Sequence, residues 1–178
     1  MVVLKILSKL FKALRSNESP NQLAWGFVLG MIIGLTPLWN LHNLVVIVLI
    51  LIFKVNAAMA GVAFILFDII VFAFLPLLDP LFHSLGYWLL VDVEWLRPLW
   101  VFISTTPVLA WCNFNNTVVL GSFVVALLLI VPLYFFTKWW VVQYRDKIDA
   151  RIQKWKIVQI LKSTKLVQLY NKISQLGD

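Results

Sequence analysis

Between residues 21 and 137 the chain carries only Lys54 and Arg97 as cations, against the acids Asp68, Asp79, Asp92 and Glu94. No water-soluble globule of this size has an interior that could hold so much apolar surface. The whole chain is 62% hydrophobic and 13% charged over 178 residues, with a mean hydropathy of +0.92. Soluble domains run about 45–50% apolar and about 25% charged. Lipid is therefore the expected solvent, and the expected class is an all-α integral membrane protein. The remaining charge sits at the ends: residues 1–20 carry a net +3, residues 138–178 a net +6, and the stretch between them a net −2. This pattern excludes a soluble enzyme, a disordered chain and a secreted disulfide scaffold. No nucleic-acid partner is expected, because the basic ends flank a membrane core. The single cysteine, Cys112, leaves no internal disulfide.

Residues 1–18 read as a basic amphipathic interfacial helix. Leu4, Leu7, Phe11 and Leu14 recur at helical spacing, and Lys5, Lys9 and Lys12 fall opposite. The membrane domain is expected over 19–137. Ser19-Pro20 is a helix start signal. It opens a region, 20–54, that is interrupted at Thr36-Pro37 and by the polar residues Asn40, His42 and Asn43. Each apolar limb is shorter than the ~20 residues of a span. The region is thus either one tilted crossing or a re-entrant or broken helical hairpin that returns to its starting side. Residues 57–78 are long enough to span. Residues 79–116 form a tryptophan-rich outer connection of short interfacial helices, interrupted by Pro80, Pro98 and Pro107. Residues 117–137 are the cleanest span, and 138–178 a basic amphipathic cytoplasmic tail. Cytoplasmic loops attract Lys and Arg, so both termini are expected there and the number of crossings is even. The hairpin satisfies this with two full transmembrane helices beside it. A hairpin deep enough to cross twice preserves the same sidedness.

Gly26, Gly30 and Gly34 fall on one face at four-residue spacing, which allows close backbone approach in lipid. The face serves either helix packing or a partner span or lipid chain. Asp68, near the middle of an expected span, should face protein or water, because a mid-bilayer carboxylate costs roughly 2.5–3.5 kcal/mol on insertion scales. It is expected to anchor the polar turn through Asn40, His42 or Asn43, or to handle protons with His42. Asp79 and His83 lie one helical turn apart and are read as outer-face polar residues. Asn113, Asn115 and Asn116 crowd the start of the last span, where capping is their expected role. No HExxH, P-loop, Ser/His/Asp set or carboxylate pair of catalytic type is visible, so neither catalytic residues nor a metal or cofactor is expected.

The stretch SPNQLAWGFVLGMIIGLTPLWNLHN resembles the hallmark of a small bacterial inner-membrane family filed as domain of unknown function two-thousand-and-sixty-two. The match rests on the Ser-Pro start, the ladder at Gly26, Gly30 and Gly34, and the break at Pro37. LLDPLFHSLG and FNNTVVLGS are similar to one subgroup of it. Where other members often carry Gln after the break, this chain has Asn40, His42 and Asn43. The resemblance implies a multi-pass inner-membrane protein of Gram-negative bacteria with no established activity, encoded beside a larger envelope protein. Membrane lipids and that larger membrane-anchored protein are therefore the expected partners. The expected function is a non-enzymatic accessory or scaffolding subunit of a hetero-oligomeric envelope complex, in lipid transport or envelope maintenance. The alternative is a small homo-oligomeric lipid transporter or flippase using the broken hairpin and Asp68.

Overall fold

The computed structural model of the protein describes residues 10, 11, 13, 14 and 16–148. Most of the expected 1–18 flank, and the tail beyond residue 148, fall outside the described residues. These residues are helical throughout their regular structure, with no strand among them.

The first long helix, α1 (Pro20–Leu35), starts where its capping residues place it. The Gln22 N–H donates to Ser19 Oγ at 3.2 Å, and the Ser19 N–H donates back to Gln22 Oε1 at 2.8 Å. This reciprocal pair satisfies two of the helix's orphan donors. Pro20 occupies the first turn, where its missing N–H costs nothing. The helix ends at Thr36, held extended at ψ 150° ahead of Pro37. Buried residues occur on every side of α1, as expected of a central helix.

Helix α2 (Leu41–Ile52) turns back from that break and buries His42, Asn43 and Val46. Leu44, Val48, Leu51 and Ile52 on its outer side are exposed. After Phe53 the chain extends until the Asn56 N–H donates to the Gln22 carbonyl at 3.1 Å. The hairpin thus returns to the level at which α1 began, as the returning-hairpin reading requires.

Helix α3 (Ala57–Ala73) then runs parallel to α1. The glycine ladder sets the register: Gly26 lies against Asn56, Gly30 against Ala60 and Gly34 against Phe64, in each case at the backbone carbonyl. Expected as one span over 57–78, this region is two helices. Helix α4 (Leu75–Tyr87) leaves α3 at 96° across Phe74. Pro76 sits in the first turn of α4. It has no N–H to offer the end of α3, and its ring clashes with the turn before it.

Short π and 3-10 segments at Trp88–Asp92 and Glu94–Leu96 lead to α5 (Arg97–Thr105) and a second 3-10 turn at Leu109–Cys112. This is the series of short helices expected for 79–116. Helix α6 (Thr117–Gln143) is capped by Asn116, whose Oδ1 accepts from the N–H groups of Val118 at 2.9 Å and Val119 at 3.2 Å. Its 27 residues cover about 40 Å, and Pro132 does not end it. Among the described residues it is the one unbroken helix long and apolar enough to cross a membrane.

Helix α6 runs antiparallel to α1. The Tyr134 hydroxyl reaches Asn21 at 3.1 Å near one end, and Asn113 reaches Asn40 just before the other. It is also antiparallel to α4, with Gly86 against the Thr117 carbonyl and Gly121 against that of Phe82. The fold thereby sorts the charged residues. Lys54, Lys138 and Arg145 fall at the end where α1 begins, together with the acids Glu18 and Asp146. Asp68, Asp79, Asp92, Glu94 and Arg97 fall toward the end where α6 begins.

Candidate functional site

The two interruptions in the helices, the hairpin tip and the α3–α4 bend, meet at the same end of the bundle. At the tip, the Thr36 hydroxyl stands 2.8 Å from the Ile32 carbonyl and 2.9 Å from Asn43 Oδ1. The Asn43 amide donates to the Pro37 carbonyl at 2.8 Å, and Asn40 donates to the same oxygen at 2.7 Å. Asn113 in turn donates to Asn40 Oδ1 at 2.5 Å, tying the tip to the entrance of α6. Asn113 adopts φ 55°, a left-handed conformation that asparagine tolerates. The network absorbs polar groups that the helix break frees. It accounts for the near-complete burial of Asn43, at 1% exposure.

His42 does not join the network. Its ring clusters with those of Phe114, 5.5 Å away and nearly parallel at 19°, and Phe123, 4.8 Å away, which also touch each other at 5.1 Å. Neither buried ring nitrogen meets a partner in full hydrogen-bond geometry among the described residues, although the ring stands beside the Cys112 backbone. It packs the tip against α6 as an aromatic ring.

Asp68 does not bond Asn40, His42 or Asn43, which corrects the expected anchor, although it shares a cavity with Thr36 of the tip. No hydrogen bond joins it to Asn40, His42 or Asn43, and no His42–Asp68 pair forms. The glycine ladder registers α3 so that the Asp68 turn meets the last turn of α1 at Gly34, just short of the tip. Asn43 turns inward to Thr36 and Pro37, Asn40 reaches Asn113 and His42 packs on Phe123 of α6, whereas Asp68 faces a cavity of about 240 Å³ under the bend. Asp79, Thr36, Pro37, Phe82 and Ser122 also line it. His83 is drawn away from Asp79: its Nδ1 lies 2.7 Å from the Thr117 hydroxyl and joins α4 to the start of α6. The break thus separates the expected site residues into a tip network and an acidic cavity that share Thr36 and Pro37.

The ladder Gly26, Gly30 and Gly34 is filled by α3 of the same chain. That face is an internal packing seam, and no open groove for a partner or lipid chain is left on it.

Two further features went unread in the sequence. Gly86 and Gly121 form a second close approach, and the signal for it was a lone glycine in each of two apolar helical runs. Arg145 gathers the N-terminal segment: its guanidinium donates to the carbonyls of Leu14 at 2.8 Å, Ser16 at 2.9 Å and Glu18 at 2.8 Å. No local sequence pattern announces it.

Comparison with known proteins agrees with the resemblance read from the motifs. A family model described as an uncharacterised protein conserved in bacteria, DUF2062, matches residues 5–149. An uncharacterised protein of Treponema pallidum (strain Nichols) is 25% identical over 164 residues, covering 92% of this chain and 98% of its own. No solved structure matches.

Proposed function

We infer that this chain, which belongs to the DUF2062 family of uncharacterised bacterial proteins, is a multi-pass inner-membrane subunit that handles lipid within an envelope assembly. The observation that carries the reading is the cavity where the hairpin break and the α3–α4 bend adjoin. Interrupted helices that line a cavity are how membrane proteins present polar groups to a substrate.

The topology that fits has the basic end in the cytoplasm. The hairpin is level with α6 from Tyr134 to beyond Thr117, a depth of about 27 Å. That depth approaches the ~30 Å hydrocarbon core and favours a hairpin that crosses twice. With α1, α2, α3 and α6 as the traverses, the count is even and both ends of the described chain stay on one side. The outward-facing Leu128, Val131, Phe135 and Trp139 of α6 are exposed, as contact with acyl chains or a partner span requires.

Purification from native membranes in mild detergent, with bound proteins and lipids identified, tests the reading. Recovery with a larger membrane-anchored protein and with lipid is expected. The bent pair and broken hairpin also favour a second reading, a homo-oligomer that moves lipid by itself. In that case the chain purified alone transfers labelled lipid between the leaflets of liposomes. A monomer that carries no lipid and binds no partner overturns both.

A further inference from the structure

We propose that the cavity under the α3–α4 bend binds the primary ammonium of an aminophospholipid head group. The proposal rests on the lipid-handling reading above and names its ligand class.

The cavity has a specific chemical composition. Asp68 enters from α3 and Asp79 from α4, and the 96° bend brings both to one space. Among the described residues no Lys, Arg or His lines it to balance them, and His83, one turn from Asp79, is engaged with Thr117. The last turn of α1 forms another wall. Its terminal carbonyls lack intrahelical partners, and its dipole adds negative potential. Charge complementarity therefore selects a cation.

Coordination chemistry narrows the cation. Calcium takes six to eight oxygen ligands and magnesium a near-ideal octahedron. Among the described residues no group of three or more His, Cys, Asp or Glu side chains is placed to hold a metal. An ammonium has three N–H donors, for which the two carboxylates and the carbonyls at the end of α1 are the acceptors on offer.

The approach narrows the source. Phe72, Phe74, Leu75 and Leu77 around the bend are exposed apolar side chains, and Leu78 and Phe82 line the cavity itself. A head group delivered on acyl chains gains from that surface, whereas a hydrated free amine does not. A volume of about 240 Å³ is below the ~300–1,000 Å³ of sites that enclose whole ligands. It suits a head group whose chains remain outside.

The test uses the full chain reconstituted with equimolar phosphatidylethanolamine, phosphatidylcholine and phosphatidylglycerol, with retained lipid read by native mass spectrometry. About tenfold preferential retention of phosphatidylethanolamine over phosphatidylcholine is expected, because the quaternary amine keeps the charge but offers no N–H donor. The paired variant Asp68→Asn with Asp79→Asn should lose the preference while keeping its helicity and melting temperature. Single variants should each lose part of it, which keeps the proposal testable if the double variant does not fold. Equal retention of the two lipids by the unaltered chain, or a preference that survives in folded variants, overturns the proposal. So does displacement of the lipid by millimolar free ethanolamine, which assigns the site to soluble amines. Recovery with a partner and lipid but without this preference removes the ammonium site alone. The preference in a chain that binds no partner removes the subunit reading alone.

Discussion

Gly30 of α1 stands directly against the backbone carbonyl of Ala60 in α3, so close that any side chain at position 30 would occupy the carbonyl's place. The neighbouring rungs, Gly26 on Asn56 and Gly34 on Phe64, repeat the contact. Three consecutive turns of two parallel helices are thereby brought to backbone contact, a geometry that favours weak Cα–H···O bonds and dense packing. The register of α3, and with it the place of Asp68, follows from this seam.

Gly30→Ala should destabilise the protein by at least the ~1–3 kcal/mol typical of overpacking, because the obstacle is backbone and cannot rotate away. Gly61→Ala, on the same α3 but with nothing near the new Cβ, should leave stability unchanged or raise it. Thermal unfolding in one detergent compares the two. Equal melting temperatures for both variants contradict the seam.

Arg145→Lys should not replace arginine. Three carbonyls in different directions suit a planar guanidinium with a fixed fork of donors, and an ammonium cannot match it. A loss of about 2 kcal/mol is expected, with faster proteolysis in the Leu14–Glu18 segment. Unchanged cleavage kinetics there count against the clamp.

His42→Phe should be neutral or stabilising. It keeps a ring against Phe114 and Phe123 and removes two buried nitrogens that lack a well-formed hydrogen bond. His42→Ala should cost about 2–4 kcal/mol through the cavity it leaves. A chemical role for the imidazole appears instead as a functional loss in His42→Phe with the melting temperature preserved.

Sidedness is open to cysteine labelling in a Cys112→Ser background. Asn17→Cys and Lys54→Cys should react with a membrane-impermeant maleimide from the same side, because the hairpin returns to where α1 starts. Trp95→Cys, beyond the outer end of α4, should react from the opposite side. Labelling of all three from one side rules out the crossing scheme.

Local chemistry explains which expectations the structure matched. The Ser19 capping box, the stop at Thr36-Pro37 and the Asn116 cap each depend on residues within a few positions of one another, so their sequence spacing carries the geometry. Pro76 was equally visible, yet continuous apolarity over 57–78 concealed its effect. Hydropathy reports solvent preference and is silent on a change of helix direction. Asp68 was misplaced for a different reason: counting along an expected span measures depth only when the span is straight and upright, and α3 is cut short.

Residue order already specifies a chain that is helical, apolar and basic at both ends, the starts of α1 and α6 and the break at Thr36-Pro37, and a glycine face that must pack closely. Those properties follow from composition and short-range spacing. Only the packing of the helices fills the ladder with α3 of the same chain, ties the hairpin tip to Asn113, places Asp68 in a cavity with Asp79 and sets His42 against two phenyl rings. Each of these depends on which helices pair and in what register. The helices are apolar over most of their surfaces, so hydrophobicity cannot choose among partners, and the choice falls to backbone shape at a few glycines and to the hydrogen bonds of a few buried amides.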